Sequence, residues 1–242
     1  MLNRFFIFFF IFLLCATNLF AQSSTTSPYS RYGAGDQTFK GFAQNISLGG
    51  LGYGLNDPGY VNFLNPASYS SLNLTTFEAG ANASFVDFTS ASAKEKNSGA
   101  SLSYLSLGFP ITKKWGTAIG LVPYTNLGYE LNTSEELESI GRIKYSYSGS
   151  GGINQVFFGN AMKVHKSLSV GLNISYMFGS LNKTRMVEFP DLRNSNSLRI
   201  SDHIFVKGFR FHGGVQYTKE LKKHTLVLGL TGTFPSNLNA SN

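Results

Sequence analysis

The side chains that could do chemistry are few, and their spacing does not bring them together. The four histidines, His165, His203, His212 and His224, are scattered without the spacing of a metal-ligand set. No serine stands in a Gly-x-Ser-x-Gly elbow. Glu135, Glu136 and Glu138 form an acidic cluster that reads as a solvated loop rather than a cation site. Gly50-x-Gly52 is followed by Leu55 where a dinucleotide fingerprint needs its third glycine, and no strand-then-helix pattern surrounds it. No catalytic, cofactor-binding or metal-binding residue is assigned, and neither enzyme activity nor a cofactor is expected. One polar pattern does recur. Asn173 and Ser175 alternate with apolar residues in one segment, as Arg210, His212 and Gln216 do in another. Residues at period two on a strand share a face, so these five are expected to line a wetted interior.

The element that must hold the first pair is plain. Leu168, Val170, Leu172, Ile174, Tyr176 and Phe178 alternate with Ser169, Gly171, Asn173, Ser175 and Met177. This is a strand with one apolar face, and roughly 11 residues is the length a tilted strand needs to cross a bilayer. Similar patterns run over Thr75–Phe88, Leu102–Ile111, Gly116–Tyr129 and Arg142–Val164, and in stretches around Phe209–Tyr217 and Leu226–Phe234. In the third, Ile119 and Leu121 hold one parity, Val122 and Tyr124 the other. Pro123 sits at the change, so a bulge or kink is expected there.

The connections alternate in kind. Thr112–Trp115, His165–Ser167 and Lys219–His224 are short and basic, whereas Ser90–Ser98, Leu131–Gly141 and Asn182–Ser197 are longer and polar. Outer-membrane barrels have short periplasmic turns and longer external loops, and a sandwich has no reason to alternate this way. Composition agrees. Charged residues make up 14%, against roughly 25% in typical soluble proteins. A secreted soluble β-sandwich stays the rival reading, because alternation alone does not say what touches the apolar face.

The N-terminus reads as a secretory leader, residues 1–21. Arg4 precedes an apolar run from Phe5 to Leu14, and Leu19-Phe20-Ala21 offers a cut near Ala21. A lipoprotein signal on Cys15 fits poorly, with bulky Leu14 before it. Since Cys15 is the one cysteine, cleavage leaves no thiol and no disulfide. Loss of Arg4 takes Lys+Arg from 20 to 19 against 13 Asp+Glu, leaving +6 without a long basic run, and no nucleic acid partner is expected.

Residues 22–72 are rich in Gly, Ser, Asn and Pro but interleaved with Phe39, Phe42, Leu48, Leu51, Tyr60, Phe63 and Leu64, so a packed irregular segment is expected. Ser27-Pro28-Tyr29-Ser30-Arg31-Tyr32-Gly33, Gly49-Gly50-x-Gly52 and Asn65-Pro66-Ala67-Ser68-Tyr69-Ser70-Ser71-Leu72 make this segment similar to the amino-terminal region of FadL-like outer-membrane proteins of the Bacteroidetes type. The resemblance implies a hatch over residues 22–72, with Asn65, Pro66 and Ala67 turning the chain into the first strand. It also implies a strand kinked at Pro123 to open the wall, and about twice as many strands. Transport of a hydrophobic or amphiphilic small molecule would follow. Some barrels of this kind are accessory subunits, which implies as alternative a non-conducting subunit or adaptor of a protein secretion or surface-assembly complex.

The expected fold is therefore all-β. It is an antiparallel transmembrane β-barrel of about seven strands over residues 73–242, read as the N-terminal portion of a longer barrel, with an irregular hatch before it. The expected place is the outer membrane of a Gram-negative bacterium. Outer-membrane lipid, a hydrophobic small-molecule ligand and secretion-complex proteins are the expected partners.

Overall fold

A computed structural model describes residues 27–37, 41–89, 94–138, 141–192 and 196–241. The leader expected over residues 1–21 lies outside them. In chain order the strands are β1 (Asp36–Gln37), β2 (Thr76–Thr89), β3 (Lys94–Thr112), β4 (Trp115–Leu137), β5 (Gly141–His165), β6 (Leu168–Glu188), β7 (Leu198–Leu221), β8 (His224–Thr233) and β9 (Asn239–Ser241). From β2 to β8 each strand pairs antiparallel with the next, giving a curled seven-stranded half-barrel. The short β9 pairs with β7 at Phe205–Lys207, beyond the stretch that β8 occupies, so β8 and β9 form one interrupted edge.

The register aligns like with like. Phe77, Leu107, Ile119, Phe158, Ile174 and Phe211 follow one another across β2 to β7. All six point away from the concave side, and Phe77 is 66%, Phe158 50% and Ile174 41% exposed. A soluble sandwich would bury this face. Here the apolar residues are outside, and the small and polar ones, such as Asn173, Ser175 and Gln216, are buried within. On β6 every outward residue from Leu168 to Phe178 is apolar, whereas Ser180, Asn182 and Thr184, further along the same face, are polar. Ten residue steps make about 33 Å of strand, or about 25 Å of height at a tilt near 40°, which is the height of the apolar band on an outer-membrane barrel.

The strands run well beyond that band, and this corrects the reading of the long connections. Leu131–Gly141 is mostly strand, with β4 reaching Leu137 and β5 starting at Gly141; likewise β6 continues to Glu188 and β3 begins at Lys94. Polar residues face both sides of these extensions, so the alternation that marks a half-buried strand is missing from the sequence there. The glycine-rich stretch Gly149–Gly152 lies inside the continuous β5. Pairing between β3 and β4 covers Leu105–Thr112 with Trp115–Leu121, and the two strands part above it. Register slips by one residue between Pro123 and Thr125, and β1 adds Asp36 and Gln37 opposite Asn126 and Thr125 on the edge that β3 leaves. The slip changes which parity faces inward, from Ala118 and Val122 to Thr125, Leu127 and Tyr129, all of them buried.

Residues 41–72 lie against the concave side. A helical turn at Ala43–Ser47 ends at Gly49 and Gly50, both at positive φ (73° and 87°), where the Gly50 N–H donates to the Asn45 carbonyl. That turn is the local role of the glycine cluster. One core forms where Phe42, Val61, Tyr69 and Leu72 meet Tyr104, Ala118, Val122, Phe157 and Ala161 of the sheet. Phe42 stacks on Tyr104 at 4.0 Å between ring centroids. Further along the strands Ser27–Gly35 meets a second core of Leu127, Tyr129, Ile153, Met177, Leu181 and Val206 through Ala34.

Candidate functional site

The densest set of specific contacts is the seat of the turn Pro66–Ser71 on the sheet. Gly116, Ala161, Gly171 and Gly214 are in register across β4, β5, β6 and β7 and form a trough without side chains beyond a methyl. The turn's backbone lies in it. A Cβ added at Gly171 would stand 2.5 Å from the Ala67 nitrogen, and one at Gly214 would stand 2.9 Å from Pro66 Cδ. One at Gly116 would collide with the Tyr69 carbonyl. Glycine is needed here for close backbone approach rather than for a special φ.

Polar groups lock the segment at both ends of the trough. Asn65 is fully buried, and its Oδ1 accepts from the Ala67 N–H at 3.1 Å, capping the turn. Its Nδ2 donates to the carbonyls of Tyr53 (2.7 Å) and Val215 (3.2 Å). Pro66 follows at the first position of the turn, where its missing N–H costs nothing. Ala67 is buried against Gly171. Gln216 Nε2 donates to the Tyr53 and Leu55 carbonyls at 3.1 and 2.9 Å. His212 Nε2 lies 3.1 Å from the Leu64 carbonyl while its Nδ1 lies 3.0 Å from Thr233 Oγ1. Asn173 donates to the Tyr69 hydroxyl at 3.2 Å. Burial pushes that hydroxyl far above the usual tyrosine range, against a smaller opposing effect of the Asn173 amide.

Of the five residues expected to line an interior, Asn173, His212 and Gln216 thus contact the N-terminal segment directly. Ser175 and Arg210 face each other one row away; Ser175 is buried and the Arg210 guanidinium lies 5.1 Å from the Tyr124 ring centre. The remaining histidines stay apart: His203 bonds Asn182 at 2.8 Å, and His165 accepts from the Ser167 N–H within its own turn. Among the described residues no group of three His, Cys, Asp or Glu could hold a metal ion. Sequence reading missed Gly116, Gly171, Gly214 and Tyr69. It also missed Asn45 and Asn62, which bond each other at 3.3 Å and tie down the Leu51, Gly52 and Leu55 carbonyls. Glycine recurring at inward parity was the available signal.

A curled antiparallel half-barrel with a bilayer-high apolar exterior and a segment bonded to its concave side defines a protein of the outer-membrane β-barrel class. The family model BamG matches residues 1–242, and the chain belongs to the BamG family. Outer-membrane association goes with that family. Comparison with curated proteins and with solved structures gives no match. The family match overturns the resemblance to FadL-like transporters. Its physical reason is visible at the seat: Asn65-Pro66-Ala67 is an asparagine-capped turn that fits a glycine trough, a packing device that carries no information about a transported molecule.

Proposed function

We propose that the protein is a non-conducting subunit or adaptor of the outer-membrane assembly (BAM) complex, with residues 22–72 serving as a plug of its concave side. The observation that carries this reading is the family match over residues 1–242, since the family name points to a component of that complex. The geometry of the seat supports the non-conducting part. A solute following the concave face would have to displace Asn65, Pro66 and Ala67 from the trough and break the bonds from Asn173, His212 and Gln216. The exterior supports it as well, because the extensions of β4 to β7 beyond the apolar band offer paired, rigid surface to other proteins. Its partners would be the other proteins of the complex, and no catalytic role belongs to the proposal. Depletion in the native host tests it. The folded, heat-modifiable fraction of unrelated outer-membrane barrels should fall as the protein is lost. Barrels that keep folding normally after full depletion would contradict the proposal.

A further inference from the structure

The three short turns make one rim. Lys113–Lys114, Lys166–Ser167 and Lys222–Lys223 each join two strands, and backbone bonds run between neighbours: Lys163 N–H to the Lys114 carbonyl and Thr218 N–H to the Ser167 carbonyl, both 2.8 Å. Seven lysines stand on this rim, namely 113, 114, 163, 166, 219, 222 and 223, with Glu220 as the single acid beside them. Six are exposed and Lys163 is half-buried. The ion pairs among the described residues, Lys96–Asp87, Lys144–Glu188 and Arg185–Asp202, all lie on the far half of the strands. Basic and acidic residues mix there, whereas on the rim Glu220 is the one carboxylate among seven lysines and forms none of these ion pairs.

The rim also borders the apolar band directly. Trp115, Met162, Val164, Tyr217 and Leu221, all at least two-fifths exposed, lie within a few residues of the lysines. Tryptophan and tyrosine at that level mark the boundary between hydrocarbon and headgroups. Lysine stems can lie along the band's edge while their ammonium groups reach the phosphate layer. We infer that this rim binds the phosphate groups of anionic phospholipids in the leaflet it faces. An acidic protein surface is the weaker fit, because the charges border the lipid-facing band instead of surrounding a pocket. The inference rests on the position in the membrane and is independent of which complex the protein joins.

Trp115, the one tryptophan of the chain, is a built-in probe beside Lys113 and Lys114. The purified full chain would be reconstituted in phosphatidylcholine vesicles containing brominated phosphatidylglycerol or brominated phosphatidylcholine, and quenching compared. One lysine–headgroup contact predicts about a fivefold preference for the anionic lipid at low salt. The preference should collapse in molar salt. It should vanish in a Lys113→Gln, Lys114→Gln, Lys166→Gln variant and survive in the matching arginine variant, which controls for folding. Equal quenching by the two lipids, or a preference that persists in the glutamine variant, would overturn the inference. Equal quenching together with loss of co-purifying proteins from the glutamine variant would assign the rim to an acidic protein partner, and would overturn it too.

Discussion

A single methyl group tests the seat. In Gly171→Ala the new Cβ would stand 2.5 Å from the Ala67 nitrogen and equally close to the Pro66 carbonyl carbon. Ordinary contacts of this kind need about 3.5 Å or more, so the turn must rise by about 1 Å or leave the trough. Neither neighbour is the free end of a flexible side chain. Overpacking of this sort costs about 1–3 kcal/mol. If the segment opens locally, that cost multiplies its open population by about 5- to 150-fold. The assay follows a cysteine at position 70, where Ser70 is 3% exposed, on a background with Cys15 replaced by serine. Maleimide labelling of Ser70→Cys should be slow in the parent and faster by that factor when Gly171→Ala is added. Gly232→Ala provides the contrast, since a Cβ there meets nothing within 4 Å, and it should leave the rate unchanged. Labelling at the parent rate in Gly171→Ala would refute the argument that the trough sets the position of the turn.

Other consequences are as direct. Because burial raises the Tyr69 hydroxyl in the folded protein above its unfolded value of about 10, its contribution to stability is whole below that pH and is lost as pH rises beyond it. Tyr69→Phe should therefore cost about 1 kcal/mol at neutral pH, from the bond with Asn173, and should lose less stability than the parent in denaturation series above pH 10. On the exterior, Ile174→Arg in the middle of the apolar band should cost about 2–4 kcal/mol of stability in bilayers, whereas Asn182→Arg on the same face of β6 should be close to neutral. Refolding titrations in vesicles measure both; equal effects would show that the band does not face lipid.

What the sequence displayed depended on which physical constraint each residue answers. The alternation of Leu168 to Phe178 was readable because one side of β6 meets an apolar medium and the other does not. The polar continuation Asn182–Glu188 answers no such contrast and reads as part of the long connection Asn182–Ser197. Pairing of Gly116, Ala161, Gly171 and Gly214 could not be seen, because small residues recur along all four strands and register alone decides which of them meet in a trough. Asn65-Pro66-Ala67 stood out as a turn, yet its partners at Tyr53 and Val215 are backbone carbonyls that leave no trace in residue identity. The same blindness explains the FadL-like resemblance. A turn motif reports how a segment packs, and that is shared more widely than what the protein does.

Membership of the assembly complex is the claim on which the functional account stands. The most direct test is affinity purification of the tagged protein at native expression, from outer membranes opened in mild detergent, with the stoichiometry of every retained protein measured. BAM-complex subunits should be retained at a fixed ratio close to one, stable to size exclusion. Recovery of the protein alone, with the assembly complex intact in another fraction, would contradict it.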